Sequence, residues 1–177
     1  MVTIPFNRIN ISEMSNDTSI SDEKGSQNLI ANGDNQNSQE TRKKAYKEFF
    51  RILLETDPDK GAVLWHCKDG KDRTGLAAML LLYALGADRK TVLEDYMLTN
   101  EYNAQTLEFI RKKAEAADMP PRKRDALLFM SGGVVESYMT NAINTLESKY
   151  GSVREYLFKE LGVDDMGIKK LKDKFLV

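Results

Sequence analysis

The chain has 177 residues, with 26 basic and 27 acidic side chains and a formal net charge of −1 at pH 7. This balance excludes the strong electrostatic field of a nucleic-acid or membrane-surface binder. A single cysteine and a single histidine exclude an intramolecular disulfide, a Cys₄ or Cys₂His₂ zinc site and any metal site that needs two histidines. We therefore expect neither a metal nor another cofactor.

The first 40 residues differ from the rest of the chain in composition and charge. Residues 1–40 hold two basic and six acidic side chains and are rich in Asn and Ser. A polar stretch of this kind buries too little apolar surface to order itself alone. Val2–Phe6 is the exception, because its β-branched and aromatic residues favour a short strand. We interpret residues 1–40 as a short strand with a polar flexible arm, and residues 41–177 as the folded domain.

From residue 41 onward the pattern predicts one strand and a series of helices. Apolar residues at helical spacing predict a helix over Thr41–Leu54. Ala62–His66 reads AVLWH, which is typical of a buried parallel strand, and Arg73–Leu85 reads as an apolar helix ended by Gly86. Further helices are predicted over residues 91–99, 103–118, 122–130 and 134–150, between Ser152 and Gly162, and over residues 165–175. The predicted fold class is α/β, with a short, mostly parallel sheet flanked by helices and a helix-rich C-terminal half.

No apolar stretch approaches the roughly 18 residues that a membrane span needs. The N-terminus also lacks a basic region followed by an apolar core, so no secretory signal is visible. We therefore predict no transmembrane segment and a cytoplasmic location for the chain as written, and secretion of a longer parent chain remains open.

The segment that carries chemistry is His66–Gly75, which reads HCKDGKDRTG. It lies between a predicted strand and a predicted helix, where backbone N–H groups and the helix dipole favour an anion. Six residues from Cys67 to Arg73 allow a loop to curl so that the sulfur and the guanidinium face the same small volume. Gly70 permits a positive φ within the curl, and Gly75 permits close packing of the helix on the strand.

The same features predict an acidic thiol and a phosphate site. A thiolate at Cys67 is stabilised by a helix N-terminus and a nearby arginine, and the thiolate is the reactive form. Arg73 is able to bind two phosphate oxygens at once. The chemistry implied is in-line attack by Cys67 on phosphorus, followed by hydrolysis of a phosphocysteine.

The HCxxGKDRTG segment resembles the active-site loop of the cysteine-based protein tyrosine phosphatases. More narrowly, GKDRTG resembles the bacterial tyrosine and phosphoinositide phosphatases, and Asp95–Asn100 and Tyr150–Gly162 are similar to that group as well. The resemblance implies the nucleophile at Cys67, the phosphate-binding arginine at Arg73 and a supporting histidine at His66. It implies that the Thr74 hydroxyl assists breakdown of the thiophosphate and that Lys71 and Asp72 mark the lipid-tolerant subgroup. Lys68, Asp69, Gly70 and Gly75 complete the predicted substrate-binding positions, with a solvated loop as the equal alternative for Lys68 and Asp69.

The general acid has two candidates. Asp72 lies in the loop, from which the narrower group is thought to draw its acid, and it is our choice, although the neighbouring Arg73 is expected to favour its ionised form. Asp34 lies 33 residues before Cys67, near the spacing of dual-specificity relatives.

The resemblance further implies that members of the family carry several strands before the segment that Val2–Phe6 matches. We therefore expect a truncated domain that associates through an exposed sheet edge. The expected function is hydrolysis of phosphotyrosine, with phosphoserine, phosphothreonine or phosphoinositides as further substrates. The alternative is an inactive fragment that acts as a phosphate-binding module. Rhodanese-like sulfur transfer is disfavoured, because Arg73–Gly75 suits phosphate.

Overall fold

The computed structural model describes residues 6–10 and 36–176. These residues form two strands and eight helices, and they are mostly helical. In chain order the elements are β1 (Phe6–Asn10), α1 (Gln36–Glu55), β2 (Ala62–His66), α2 (Arg73–Leu85), α3 (Arg89–Tyr102), α4 (Ala104–Ala116), α5 (Pro121–Met130), α6 (Glu136–Tyr150), α7 (Val153–Leu161) and α8 (Asp165–Phe175).

The two strands pair in parallel, from Phe6 opposite Ala62 to Asn10 opposite His66. β2 has the predicted bounds. β1 begins at the last residue of the predicted segment Val2–Phe6, and the rest of that segment lies outside the described residues. Pairing with β2 extends β1 through four residues that are mostly polar and gave no local strand signal.

Helix α1 begins at Gln36, five residues before the predicted start at Thr41 and inside the segment interpreted as a flexible arm. The residues from Gln36 to Glu40 are polar and show no apolar periodicity, so the sequence pattern did not include them. A helix that is nucleated by buried residues propagates into such a segment at little cost. The boundary at residue 40 is therefore not a boundary of helical structure, and residues 11–35 of the arm lie outside the described residues.

The later helices lie within a few residues of their predicted bounds, and their ends carry the capping groups that the sequence predicts. The Ser152 side chain accepts a hydrogen bond from the backbone N–H of Glu155 at 3.0 Å at the start of α7. Gly86 and Gly162 end α2 and α7 with φ angles of 96° and 73°, in the left-handed region that favours glycine.

The hydrophobic core forms around α2, which packs against β2, α3, α7 and α8. Its buried residues are Leu76, Ala77, Met79, Leu80, Leu81 and Ala84. Among the described residues no helix combines the length and the apolarity of a membrane span, and α2 is apolar because it is central. On β2, Trp65 meets Phe49 of α1 with ring centroids 5.3 Å apart. This packing fixes both ends of the short connection between β2 and α2.

Candidate active site

The HCKDGKDRTG segment runs from the last residue of β2, through the tight connection over residues 67–72, into the first turn of α2. Cys67 follows the last residue of β2 and is 7% exposed, and Arg73 is the first residue of α2. Gly70, between them, has a φ of +72°, so this position requires the freedom that the sequence analysis assigned to it. We call residues 67–73 the phosphate loop.

The surroundings of the Cys67 sulfur favour the thiolate. Burial works to raise the pKa of this thiol. Hydrogen bonds to the sulfur from the Thr74 hydroxyl and from the backbone N–H groups of Thr74, Gly70 and Asp69 outweigh burial, so the pKa lies below its ordinary value. Thr74 Oγ1 is buried and has no other hydrogen-bond partner among the described residues, so its hydroxyl is available to the sulfur.

His66 contacts the backbone of the residue that follows it. Its Nδ1 lies 3.1 Å from the carbonyl oxygen of Cys67, and a protonated Nδ1 donates a hydrogen bond across this distance. The contact orients the peptide at the start of the phosphate loop. It is consistent with a supporting role for His66 and places no acid or base on the sulfur.

Asp72 is partly buried, and its carboxyl group favours the protonated form. Burial is the largest cause and raises the pKa, and the charge of Asp69 raises it further. Lys71 and Arg73 lower the pKa of Asp72, so Arg73 favours the ionised form as expected, but burial outweighs both cations. The Oδ1 atom is buried and has no hydrogen-bond partner within the described ranges. Asp72 therefore keeps its proton to a higher pH than an exposed aspartate does. Asp34, the other candidate acid, lies outside the described residues.

The backbone of Arg73 is held by helix α1, which carries no sequence signal of a link to the site. The Tyr46 hydroxyl of α1 donates a hydrogen bond to the Arg73 carbonyl oxygen at 3.3 Å. Tyr46 is buried, which raises the pKa of its phenol, and the phenol therefore stays protonated as a donor. The helical spacing of α1 identified Tyr46 as a core residue, but it did not predict the hydrogen-bond partner of the Tyr46 hydroxyl group.

The Lys71 side chain points away from the rest of the phosphate loop and into the protein. Its side chain is 4% exposed, and its Nζ donates to the carbonyl oxygens of Phe129 at 2.5 Å and Gly133 at 3.1 Å. The assignment of Lys71 as a substrate-binding side chain is therefore not supported by its position. Lys68 and Asp69, by contrast, are exposed at the rim of the loop, where a substrate is able to reach them.

Gly75 lies against α3. A Cβ atom at this position would lie 3.0 Å from Cε2 and 3.2 Å from Cδ2 of the Tyr96 ring. The close approach predicted for Gly75 is thus between α2 and α3 and not between α2 and the strand. Tyr96 is itself buried and stacks on Tyr138 with ring centroids 6.3 Å apart, so the ring has little room to move.

We expect Gly75→Ala to lower the free energy of unfolding by about 1–3 kcal/mol, because the added methyl group overpacks the contact with Tyr96. Gly167→Ala is the matched control: Gly167 is also the third residue of a helix, and its nearest neighbours would be 3.4 Å away. At this ordinary van der Waals distance the change should be neutral or stabilise by up to about 1 kcal/mol. Urea unfolding of both variants checks this, and equal stabilities would show that the Tyr96 ring gives way.

A cavity of about 300 Å³ lies beside the phosphate loop, between β2 and α3. Its wall includes Gly70 and Thr74, together with Leu64, Asp95 and Tyr96. Neither Cys67 nor Arg73 is among the described residues that line it, so it is not the opening through which a phosphate would reach the sulfur.

No group of three or more metal-ligating side chains occurs among residues 6–10 and 36–176. The groups gathered in the phosphate loop are instead one thiol, one carboxyl group, one guanidinium and a set of backbone N–H groups. Groups of this kind are chemically suited to bind an oxyanion and to supply a nucleophile and a proton donor.

Comparison with known proteins identifies the class. The model of the tyrosine phosphatase family matches residues 1–177. The chain is 34% identical over 119 residues to the "Putative tyrosine-protein phosphatase" of Cupriavidus necator, covering 67% of this chain and 42% of the relative. It is 28% identical over 143 residues to the "Triple specificity protein phosphatase PtpB" of Mycobacterium tuberculosis, covering 77% and 51%. A tyrosine-protein phosphatase of Nostoc commune is 31% identical over 129 residues, with coverages of 72% and 42%.

The chain belongs to the tyrosine phosphatase family, which confirms the resemblance stated for the HCKDGKDRTG segment. The alignments cover about half of each curated relative, between 42% and 51% of its length.

Proposed function

We propose that this chain is a cysteine-based phosphatase that hydrolyses phosphotyrosine through a phosphocysteine intermediate. The observation that carries the proposal is the convergence of N–H groups and the Thr74 hydroxyl on the Cys67 sulfur, which lowers the pKa of the thiol. Backbone N–H groups that converge at a helix N-terminus also form a binding site for phosphate oxygens. The loop therefore brings a nucleophile and its target together.

In the first step the Cys67 thiolate attacks phosphorus. The sulfur–phosphorus bond forms while the bond from phosphorus to the tyrosine oxygen breaks. Asp72 gives its proton to the departing phenolate oxygen, as its raised pKa allows. Arg73 and the loop N–H groups bind the three remaining phosphate oxygens and stabilise the charge of the transition state.

In the second step water hydrolyses the phosphocysteine. The ionised Asp72 accepts a proton from the attacking water, and the phosphorus–sulfur bond breaks to release inorganic phosphate. Thr74, whose hydroxyl faces the sulfur, donates a hydrogen bond to the departing thiolate. The chain returns to its starting state with Asp72 protonated and Cys67 ionised.

We expect Asp72→Asn to lower kcat by about 10²-fold with phenyl phosphate. Activity requires an ionised Cys67 and a protonated Asp72, so kcat/KM rises with pH as the thiol ionises and falls as the carboxyl ionises. Since the pKa of Cys67 is lowered and that of Asp72 is raised, a larger fraction of the protein carries both forms at once than the ordinary pKa values allow. The variant should lose the falling alkaline limb and keep the rising limb.

The leaving group and a second carboxylate provide the controls. p-Nitrophenolate leaves without protonation, so the loss with p-nitrophenyl phosphate should be much smaller than with phenyl phosphate. Asp34→Asn is the matched variant at the other candidate acid and should leave both the rate and the alkaline limb unchanged. The reverse result, with the loss at Asp34, would transfer the role of general acid to that residue.

The proposal as a whole is tested by hydrolysis of p-nitrophenyl phosphate and of a phosphotyrosine peptide, with and without EDTA. We expect turnover that EDTA does not reduce and that vanadate inhibits. Mass spectrometry of acid-quenched enzyme should detect a phosphate adduct on the peptide that contains Cys67. Turnover that depends on an added metal, with no adduct, would contradict the mechanism.

The substrate range is proposed to include phosphoserine, phosphothreonine or phosphoinositides as well. One similar protein is named a triple specificity phosphatase, which supports a test with all three phosphoamino acids. Lys71, the residue implied by resemblance to mark lipid tolerance, is directed into the protein. We therefore expect phosphotyrosine to be the preferred substrate and assign no phosphoinositide contact to Lys71.

A second candidate function is favoured by the coverage of the relatives. Because the chain matches between 42% and 51% of their lengths, residues 41–177 could serve as a phosphate-binding module without turnover. Leu64, in the middle of β2, is 50% exposed, which supports association through this face of the sheet. Phosphate binding by calorimetry without hydrolysis, together with hydrolysis by a version extended upstream, would favour this alternative.

A further inference from the structure

We propose that Lys71 is a positioning residue, whose buried ammonium ties the phosphate loop to the α5–α6 connection and keeps the loop N–H groups converged on the Cys67 sulfur. The inference rests on the proposed function in that this loop is taken as the reactive site. The α5–α6 connection is defined here as residues 129–135.

The ammonium has three contacts with the connection. Nζ lies 2.5 Å from the Phe129 carbonyl oxygen, 3.1 Å from the Gly133 carbonyl oxygen and 3.9 Å from the centroid of the Phe129 ring. Phe129 belongs to the last turn of α5, where carbonyl groups lack helical partners and the helix dipole is negative. Two carbonyl oxygens and a ring face thus form a receptor for a cation.

The receptor is anchored independently of Lys71. Asn100 of α3 makes two hydrogen bonds with the Val134 backbone, accepting from its N–H at 2.8 Å and donating to its carbonyl oxygen at 2.9 Å. Asn103 donates to the Gly132 carbonyl oxygen at 3.2 Å. The position of the connection is therefore fixed from α3, and Lys71 transmits that position to the phosphate loop.

On the loop side, Lys71 is held at its backbone as well. Its carbonyl oxygen accepts a hydrogen bond from the Gly75 N–H at 3.1 Å in the first turn of α2. The residue lies between Gly70, whose N–H reaches the sulfur, and Arg73, so a shift of its backbone moves both. A side chain with these contacts controls loop geometry and cannot reach a bound phosphate without giving up its hydrogen bonds to the Phe129 and Gly133 carbonyl oxygens.

The experiment compares Lys71→Met with Gly133→Ala. A Cβ atom at Gly133 would lie 2.9 Å from the backbone oxygen of Leu128, so the substitution displaces the receptor without removing any charge. Charged and titratable groups near the sulfur, which are Asp69, Asp72, Arg73, His66 and Tyr46, are the same in wild type and in Gly133→Ala. Lys90→Met, at an exposed lysine of α3, is the control for loss of a surface charge.

The first readout is the rate of Cys67 alkylation by iodoacetamide as a function of pH, which needs no turnover. We expect both Lys71→Met and Gly133→Ala to move the profile to higher pH, because a loosened loop stabilises the thiolate less. With p-nitrophenyl phosphate, kcat should fall by about 10- to 100-fold in each variant, with a smaller change in KM. The double variant should lose less than the product of the two single losses, since both break the same contact.

A different pattern would overturn the proposal. If Lys71 binds substrate, Lys71→Met will raise KM and weaken binding of inorganic phosphate, leave the alkylation profile in place and combine multiplicatively with Gly133→Ala. Should either variant fail to fold, Asn103→Ala takes its place, because it loosens the same connection at a partly buried position. We expect it to move the alkylation profile to higher pH as well. An absence of turnover in wild type together with shifted alkylation profiles would reject the phosphatase proposal and retain the role of Lys71.

Discussion

Replacing Cys67 with serine is expected to lower kcat for p-nitrophenyl phosphate by at least about 10⁴-fold, the loss typical of removing a nucleophile. The wild-type thiol is reactive because hydrogen bonds around the sulfur lower its pKa, so more of it is ionised at a given pH than of an ordinary cysteine. A serine hydroxyl at the same place remains protonated, because an alcohol is a far weaker acid than a thiol. The substitution changes one atom and should leave the N–H groups of the phosphate loop available to a phosphate.

Binding measurements separate loss of chemistry from loss of fold. The serine variant should bind inorganic phosphate or a phosphotyrosine peptide with little change in Kd and should melt at nearly the wild-type temperature. Cys67 is the only cysteine in the chain, so iodoacetamide labelling of the wild type followed by an activity assay gives an independent check. A serine variant with activity within tenfold of wild type would remove Cys67 from the mechanism.

The phosphate loop was predictable because its reactive residues are contiguous in the sequence. A thiol, two acidic residues, a glycine and an arginine occur within residues 67–73, between an apolar strand and an apolar helix. Local pattern therefore fixes both the identity of these groups and their placement at a helix N-terminus. The strand β2, the helix α2 and the left-handed Gly70 follow from the same signals, and the structure has all three.

Other properties of the loop depend on residues far along the chain. The direction of the Lys71 side chain is set by Phe129 and Gly133, which are 58 and 62 positions away in sequence. No local pattern distinguishes a lysine that faces solvent from one that donates to distant carbonyl groups. The packing of Gly75 against Tyr96 of α3 is of the same kind, since the partner lies on another helix.

The direction of the Asp72 pKa shift could not be predicted from the residues next to it in sequence. Two cations, Lys71 and Arg73, flank it in the sequence, and both favour the carboxylate. Burial of the carboxyl group in the folded loop has the larger effect and raises the pKa. The extent of burial is a tertiary property, so the neighbours of Asp72 are visible in the sequence but the sign of its pKa shift is not.

Arg73→Lys is expected to lower kcat/KM by about 10³-fold although it keeps the positive charge. The guanidinium presents paired donors that match two phosphate oxygens, and a lysine ammonium binds as a single point charge on a flexible stem. Loss of such a donor pair is costly because it acts where charge develops in the transition state. The contact that holds the start of α2, from the Tyr46 hydroxyl to the backbone carbonyl of Arg73, does not involve the side chain and should survive.

Arg89→Lys provides the matched control for this substitution. Arg89 is likewise the first residue of a helix, α3, and its exposed guanidinium contacts Glu147 and Asn144 instead of a phosphate site. Steady-state kinetics should give a wild-type kcat/KM for Arg89→Lys, and calorimetry should show weaker phosphate binding for Arg73→Lys alone. If Arg73→Lys retains kcat/KM within a factor of ten, charge without bidentate geometry suffices, and phosphate recognition must rest on the backbone N–H groups of the loop.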